Sequence, residues 1–150
     1  MDAIKFKAFL DTNVLLDVLC IPERPSAEAS AAVFQAIRSG LLEGVITTQS
    51  ILDAAYILSR AGTPFSTEDF GRCILSIMSY VNVDSIRFFD IREAIMHPDG
   101  DMEDDALYAY AEAEGCDAVI TSDRDFRRRK HASGIPFFTP EEFIARLRGR

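Results

Sequence analysis

The stretch Phe6–Val18, FKAFLDTNVLLDV, constrains the fold of this chain more than any other. Apolar Phe6, Ala8, Phe9 and Leu10 stop abruptly at Asp11, followed by Thr12 and Asn13. A second apolar segment, Val14–Leu19, then carries Asp17. Ala8–Leu10 reads as the end of a buried strand, with Thr12 or Asn13 opening a helix. Asp11 then stands where a strand leaves the sheet, the crevice in which α/β folds hold ligands. Asp, Thr and Asn also cap helices well, so a plain capping role explains this stretch equally on its own. Only further carboxylates joining Asp11 would separate the two readings.

The alternation continues down the chain. Pro22 and Pro25 bracket a loop and Ser26 is placed as an N-cap. Ala29, Ala32, Val33, Ala36 and Ile37 then recur at helical spacing as far as Gly40. Gly44–Thr47 is a short buried strand, and a helix opening at Thr48 or Ser50 runs through Leu58 until Gly62 and Pro64. Ser66 and Thr67 before Glu68 and Asp69 begin another helix, with Ile74, Leu75, Ile77 and Met78 as its buried face. Val81–Val83 reads as a strand. Asp90–Met96 reads as a short helix ended by His97-Pro98, with a turn at Asp99-Gly100. Glu103–Glu114 is helical, its Ala106, Ala109, Ala111 and Ala113 allowing close approach to a sheet, and Gly115 stops it. Ala118–Thr121 and Phe137-Phe138 are strands, and Thr139 caps a last helix ending near Arg148. Short strands alternating with helices predict an α/β, three-layer α/β/α fold around a central, mostly parallel sheet of about five strands. No repeat or long linker divides the sequence, so one domain over residues 1–150 is expected.

Composition bounds the chemistry. At 48% hydrophobic, 150 residues suffice for a sizeable core. A net charge of −8 speaks against gripping duplex DNA by charge alone. It leaves nucleic acid open, because acids that await a divalent cation count as negative until it arrives. Cys20, Cys73 and Cys116 are scattered, without zinc-ligand spacing, and read as reduced thiols. No apolar run reaches bilayer length and the N-terminus lacks a signal-peptide layout, so a soluble, cytoplasmic protein is expected.

Three further groups of acids fit poorly with a bland surface role. Asp53 lies in ILDAAYIL, on one helical stripe with Tyr56 and Ile57, where a lone carboxylate is costly unless it sits at the sheet rim near the helix N-terminus. Asp101-Met-Glu-Asp-Asp105 has the composition of a solvated helix start, yet Asp101, Asp104 and Asp105 stand at i, i+3 and i+4. Asp105 directly precedes the alanine-rich part and is the one expected to point inward. Asp123 follows the strand Ala118–Thr121 and repeats the placement of Asp11, although a turn or capping role suffices locally. Gathering such acids without a counterion would destabilise the fold, and oxygen-only clusters suit Mg²⁺ or Mn²⁺. His97 and His131 sit in loops and read as surface residues.

Together DTNVLLD, TTQSILDAAYIL, EDDALYAYAEAEGCDAVITSDRDF and IPFFTPEEF resemble, in order and over nearly the whole chain, the PIN-domain family. The resemblance implies a metal-dependent ribonuclease with acids at one sheet edge, often the toxin of a toxin–antitoxin pair. By position, Asp11, Asp105 and Asp123 match three of the family's acids and imply ligands of Mg²⁺ or Mn²⁺. Asp53 falls where the family more often has glutamate. Asp104 competes with Asp105, and Asp125 with Asp123. Thr12 and Asn13 match the polar pair beside the first acid, with Thr121 in support.

The basic run Arg124, Arg127, Arg128, Arg129 and Lys130 either holds the phosphates of RNA or is a solvated turn balancing nearby acids. Expected partners are an RNA substrate, an antitoxin protein and a second copy of the chain, with no membrane. The helices at Ala27–Ser39 and Ser66–Tyr80 are candidates for the dimer face. Two other functions compete. One is a phosphatase or receiver-like phosphotransfer domain, against which Asn13 replaces a needed second acid and no lysine follows a late strand. The other is a non-catalytic domain that binds RNA or a protein partner.

Overall fold

The computed structural model of the chain describes residues 5–19, 24–62, 66–128 and 134–149. The chain begins with β1 (Lys7–Leu10), α1 (Thr12–Leu19) and α2 (Ala27–Arg38), then β2 (Glu43–Thr47), α3 (Thr48–Arg60) and α4 (Thr67–Met78). It continues through β3 (Asn82–Asp84), α5 (Phe88–Met96), α6 (Met102–Ala113) and β4 (Ala118–Ile120). A short α7 (Arg124–Arg127), β5 (Phe137–Phe138) and α8 (Pro140–Arg148) close it.

All five strands are parallel, in the order β3-β2-β1-β4-β5. Successive side chains on a strand point to opposite faces, and the core divides accordingly. Ala8, Leu10, Ile46 and Ile120 pack against Val14 and Leu15 of α1, Val33 and Ile37 of α2, Ala54 of α3 and Phe143 of α8. Phe9, Val45 and Val119 pack on the other side against Leu107, Tyr110 and Ala111 of α6 and Phe126 of α7. The result is the expected three-layer α/β/α arrangement.

The chain runs outward from β1 through β2 to β3, then crosses back to place β4 on the other side of β1. The order therefore reverses between β1 and β4, and their carboxyl ends open the crevice where such sheets hold ligands. The Asp11 amide donates to Ile120 O at 3.0 Å, fixing the two strand exits side by side.

Local signals place most boundaries. Thr47 Oγ1 accepts from the Ser50 amide at 3.2 Å, so the cap of α3 is the last residue of β2. Ser26 holds the N-cap position of α2, but its side chain makes no capping hydrogen bond. Gly40 and Gly115 adopt φ of 77° and 66°, the left-handed turn that ends α2 and α6. Gly44 lies under Ile37 so closely that a Cβ would collide with that side chain, which sets how near α2 approaches β2.

Three expectations need correction. The strand expected at Val81–Val83 is β3, one residue later. On α4 only Ile74 and Ile77 are buried, while Leu75 and Met78 are exposed, because the core is met by a single i, i+3 stripe. On α6 the sheet is met chiefly by Leu107, Tyr110 and Ala111, while Ala109 and Ala113 line a cavity beside α5. The loop around Pro22, together with Cys20 and Pro64, lies outside the described residues, whereas Cys73 and Cys116 are free thiols. Among the described residues no helix is long and apolar enough to cross a membrane.

Candidate active site

The exit of β1 is built around a buried carboxylate. Asp11 Oδ1 accepts the Thr12 amide at 2.8 Å, and Oδ2 accepts Asn13 Nδ2 at 2.8 Å and Thr121 Oγ1 at 2.7 Å. Burial pushes its carboxyl above the usual range, and neighbouring Asp123 adds to this. The bonds from Thr121, Thr12 and Asn13 oppose the shift without cancelling it. A residue that only capped α1 would spend its side chain on the amides of the first turn. Asp11 accepts one such amide, from Thr12, and with its other oxygen ties β1 to β4.

Asn13 and Thr121 complete that tie. Asn13 Nδ2 also donates to Thr121 Oγ1 at 3.1 Å, and Asn13 Oδ1 accepts the Ser122 amide at 3.0 Å. Thr121 Oγ1 in turn accepts the Asp123 amide at 3.0 Å. Asp123 is indeed a helix cap, its Oδ1 accepting the amides of Asp125 at 2.8 Å and Phe126 at 3.2 Å. Capping and membership of the site coexist, because α7 starts at the crevice.

A cleft of about 690 Å³ opens here, and Asp11, Asp53, Asp104, Asp123 and Asp125 all line it. Thr12 and Asn13 contribute to its floor. Two acids that the sequence pattern did not single out as ligands, Asp101 and Glu103, line it as well. Glu103 hydrogen-bonds to Asp53 across the gap between α6 and α3. Desolvation, then the bond to Asp53, then the charges of Asp53, Asp101 and Asp104 push Glu103 up to about 7. The signal that could have found Glu103 was its place within the four-acid run.

Asp105 is a correction. It is buried, as expected, but its Oδ2 accepts the Asp99 amide at 2.9 Å, and it lines a separate cavity with Glu93, His97 and Tyr108. Asp101 caps α6 by accepting the amides of Glu103 at 2.9 Å and Asp104 at 3.2 Å. That start fixes the rotation of the helix, and Asp104 rather than Asp105 faces the cleft. The stripe of Asp53, Tyr56 and Ile57 is the open rim of the cleft rather than an interior seam: Tyr56 is 60% exposed. Asp53 accepts Gln49 Nε2 at 2.9 Å.

The basic run is divided. Arg124 and Arg128 are exposed on and just after α7, beside Asp123. Arg127 lies instead where its charge acts on Glu141 of α8, and its Nε is buried without a hydrogen-bond partner among the described residues. Arg129, Lys130 and His131 fall outside the described residues. His97 is exposed at the end of α5, with Nε2 3.9 Å from Glu93.

The cleft has the donor chemistry of a hard-cation site. Its acids are oxygen-only, among the described residues neither Lys nor Arg lines it, and burial disfavours the charged form of Asp11. Among the described residues no three of these side chains already form a closed chelate. The fit therefore rests on the donor set.

Comparison with known proteins bears on the same region. Residues 7–125 match the family model of the PIN domain. The chain is 25% identical over 148 residues to ribonuclease VapC1 of Aquifex aeolicus, covering 93% of this chain and 94% of that protein. Among solved structures it resembles VapC20 of Mycobacterium tuberculosis, a sarcin-ricin loop cleaving toxin, with a TM-score of 0.65 and 13% identity. That match covers 85% of this chain and 95% of the other. A toxin–antitoxin complex from Klebsiella pneumoniae matches with a TM-score of 0.59 and 20% identity, covering 89% of this chain and 97% of that one.

Proposed function

Because this chain belongs to the PIN-domain family, we propose that it is a Mg²⁺- or Mn²⁺-dependent endoribonuclease acting on single-stranded or structured RNA. One observation carries the reading: seven acids, Asp11, Asp53, Asp101, Glu103, Asp104, Asp123 and Asp125, line one cleft at the switch point of a parallel sheet. The similarity to ribonuclease VapC1 supports RNA as the substrate.

In this reading Asp11, Asp104 and Asp123 hold the cation, with Asp53 and Glu103 as an opposing pair and Asp125 at the rim. The bound cation would polarise a phosphate oxygen and lower the pKa of a water for in-line attack on the phosphodiester. Thr121, Asn13 and the Thr12 amide hold the Asp11 carboxylate in one orientation, so little reorganisation is needed when it meets a cation. Glu103, pushed up to about 7 beside Asp53, would be driven toward its charged form by a bound cation. Arg124 and Arg128, exposed on and just after α7, are assigned to flanking phosphates in this reading.

The toxin–antitoxin relatives support an antitoxin protein as partner, with a homodimer and a cytoplasmic location in keeping with that role. Reading residues 1–150 as a single domain belongs to the same proposal.

The test is cleavage of a mixed single-stranded RNA pool and of folded ribosomal RNA with Mn²⁺. Wild-type protein should cut at least one, chelator should stop it, and Asp11→Asn should abolish it with an unchanged circular dichroism spectrum. Cleavage that persists in chelator or in Asp11→Asn would overturn the reading.

A further inference from the structure

The acidic cleft has one aromatic wall. Tyr56 lies on α3 one turn after Asp53, both line the cleft, and adjacent Ile57 extends the same rim. The ring is 60% exposed, a large aromatic surface left in water at the edge of a charged site. Arg60, a further turn along, sets its guanidinium carbon 5.0 Å from the Tyr56 ring centroid. Among the described residues no Lys or Arg lines the cleft itself, so Arg60 brings positive charge to the edge of an acidic site.

We propose that Tyr56 and Arg60 form a nucleotide subsite, in which an unpaired RNA base stacks on the Tyr56 ring and Arg60 meets the adjoining phosphate. This rests on the ribonuclease reading above and adds to it a preference for unpaired nucleotides next to the cut. Aromatic rings bind bases without regard to sequence because every base has a π-face, and arginine stacked on the ring adds a cation–π contact. A base in a duplex is already stacked on both sides and is not available to the ring. The helix backbone holds Tyr56 rigidly relative to Asp53, so the subsite positions the chain as well as binding it. Tyr56 is thus a positioning residue. Were a protein partner the occupant of this rim instead, Tyr56→Ala would leave RNA turnover unaltered.

The experiment measures steady-state cleavage of a mixed-sequence single-stranded oligoribonucleotide with Mn²⁺ by wild type, Tyr56→Ala, Tyr56→Phe and Arg60→Gln. Tyr56→Ala should raise KM about tenfold, within the range of base–aromatic stacking, with kcat changed little, and Tyr56→Phe should restore the wild-type value. Arg60→Gln should reduce the slope of log KM against log salt by about 0.7, the loss of one phosphate contact on a single strand. Substrates with one abasic nucleotide at successive positions give a readout that a structural role would not move. At one position the abasic RNA should lose what Tyr56→Ala loses, and the two changes together should cost no more than either. An unchanged KM in Tyr56→Ala, or a loss that persists against every abasic RNA, would overturn the subsite while leaving the ribonuclease reading intact. Wild-type protein that cuts no RNA would overturn both.

Discussion

Thr121 Oγ1 donates to Asp11 Oδ2 at 2.7 Å, joining residues 110 positions apart at the neighbouring exits of β4 and β1. Both side chains are buried, and the hydroxyl also accepts the Asp123 amide. One hydroxyl therefore orients two of the acids assigned to the cation.

Thr121→Val keeps the shape of the side chain and removes all three bonds of its hydroxyl, to Asp11 Oδ2, from the Asp123 amide and from Asn13 Nδ2. It should cost about 1–3 kcal/mol, since the Asp123 amide loses its acceptor and Asp11 Oδ2 keeps only the bond from Asn13. Urea denaturation measures this, and calorimetry should show weaker Mn²⁺ binding. Stability equal to wild type would show that the hydroxyl is dispensable.

Asp104 and Asp105 should separate cleanly. Asp104→Asn should lower kcat by roughly 10²-fold or more while the protein stays folded, as expected for an electrostatic group at the reacting centre. Asp105→Asn weakens the acceptor of the Asp99 amide and should cost about 1–2 kcal/mol while folded protein stays active. The reverse pattern would return Asp105 to the site.

Without metal, stability should decline as pH rises. Asp11 and Glu103 both titrate above their ordinary values in the fold, Glu103 at about 7. A raised carboxyl gives stability that is full below its unfolded pKa and is lost as pH climbs through the folded one. The melting temperature in chelator should therefore fall between about pH 4.5 and pH 7, and the fall should be shallower in Glu103→Gln. A flat profile shared by both proteins would contradict this. Mn²⁺ binding near neutral pH should also release protons, seen as a dependence of the calorimetric heat on buffer ionisation enthalpy.

Divalent cation should stabilise the fold in proportion to its occupancy. At one hundred times its dissociation constant Mn²⁺ should add about 2.7 kcal/mol, a rise of roughly 5–10 °C in melting temperature for a chain of this size. Asp11→Asn should lose most of that rise.

Asp17 provides the control. It is buried on α1, with Oδ1 accepting Arg24 Nε at 2.8 Å and Oδ2 accepting Ser30 Oγ at 2.6 Å, away from the cleft. Asp17→Asn should cost about 1–3 kcal/mol and leave Mn²⁺ affinity unchanged. An altered affinity would place Asp17 in the site after all.

The sequence by itself determined the elements and their order, because caps, glycine stops and apolar periodicity act over a few neighbouring residues. Thr139-Pro-Glu-Glu forms the capping box of α8 it spells out, and Asp11 and Asp123 stand at adjacent strand exits as their positions require. Tertiary structure alone decided which way the helical acids face. Successive residues of a helix are about 100° apart, so rotation about the axis decides between Asp104 and Asp105. That rotation follows from the Asp101 cap and from packing Leu107 and Tyr110 against the sheet. The turning of Arg127 toward Glu141, the meeting of Glu103 with Asp53 and the exposure of Tyr56 have the same origin. Each depends on a neighbour distant in sequence, whereas a strand exit is fixed by its own few residues.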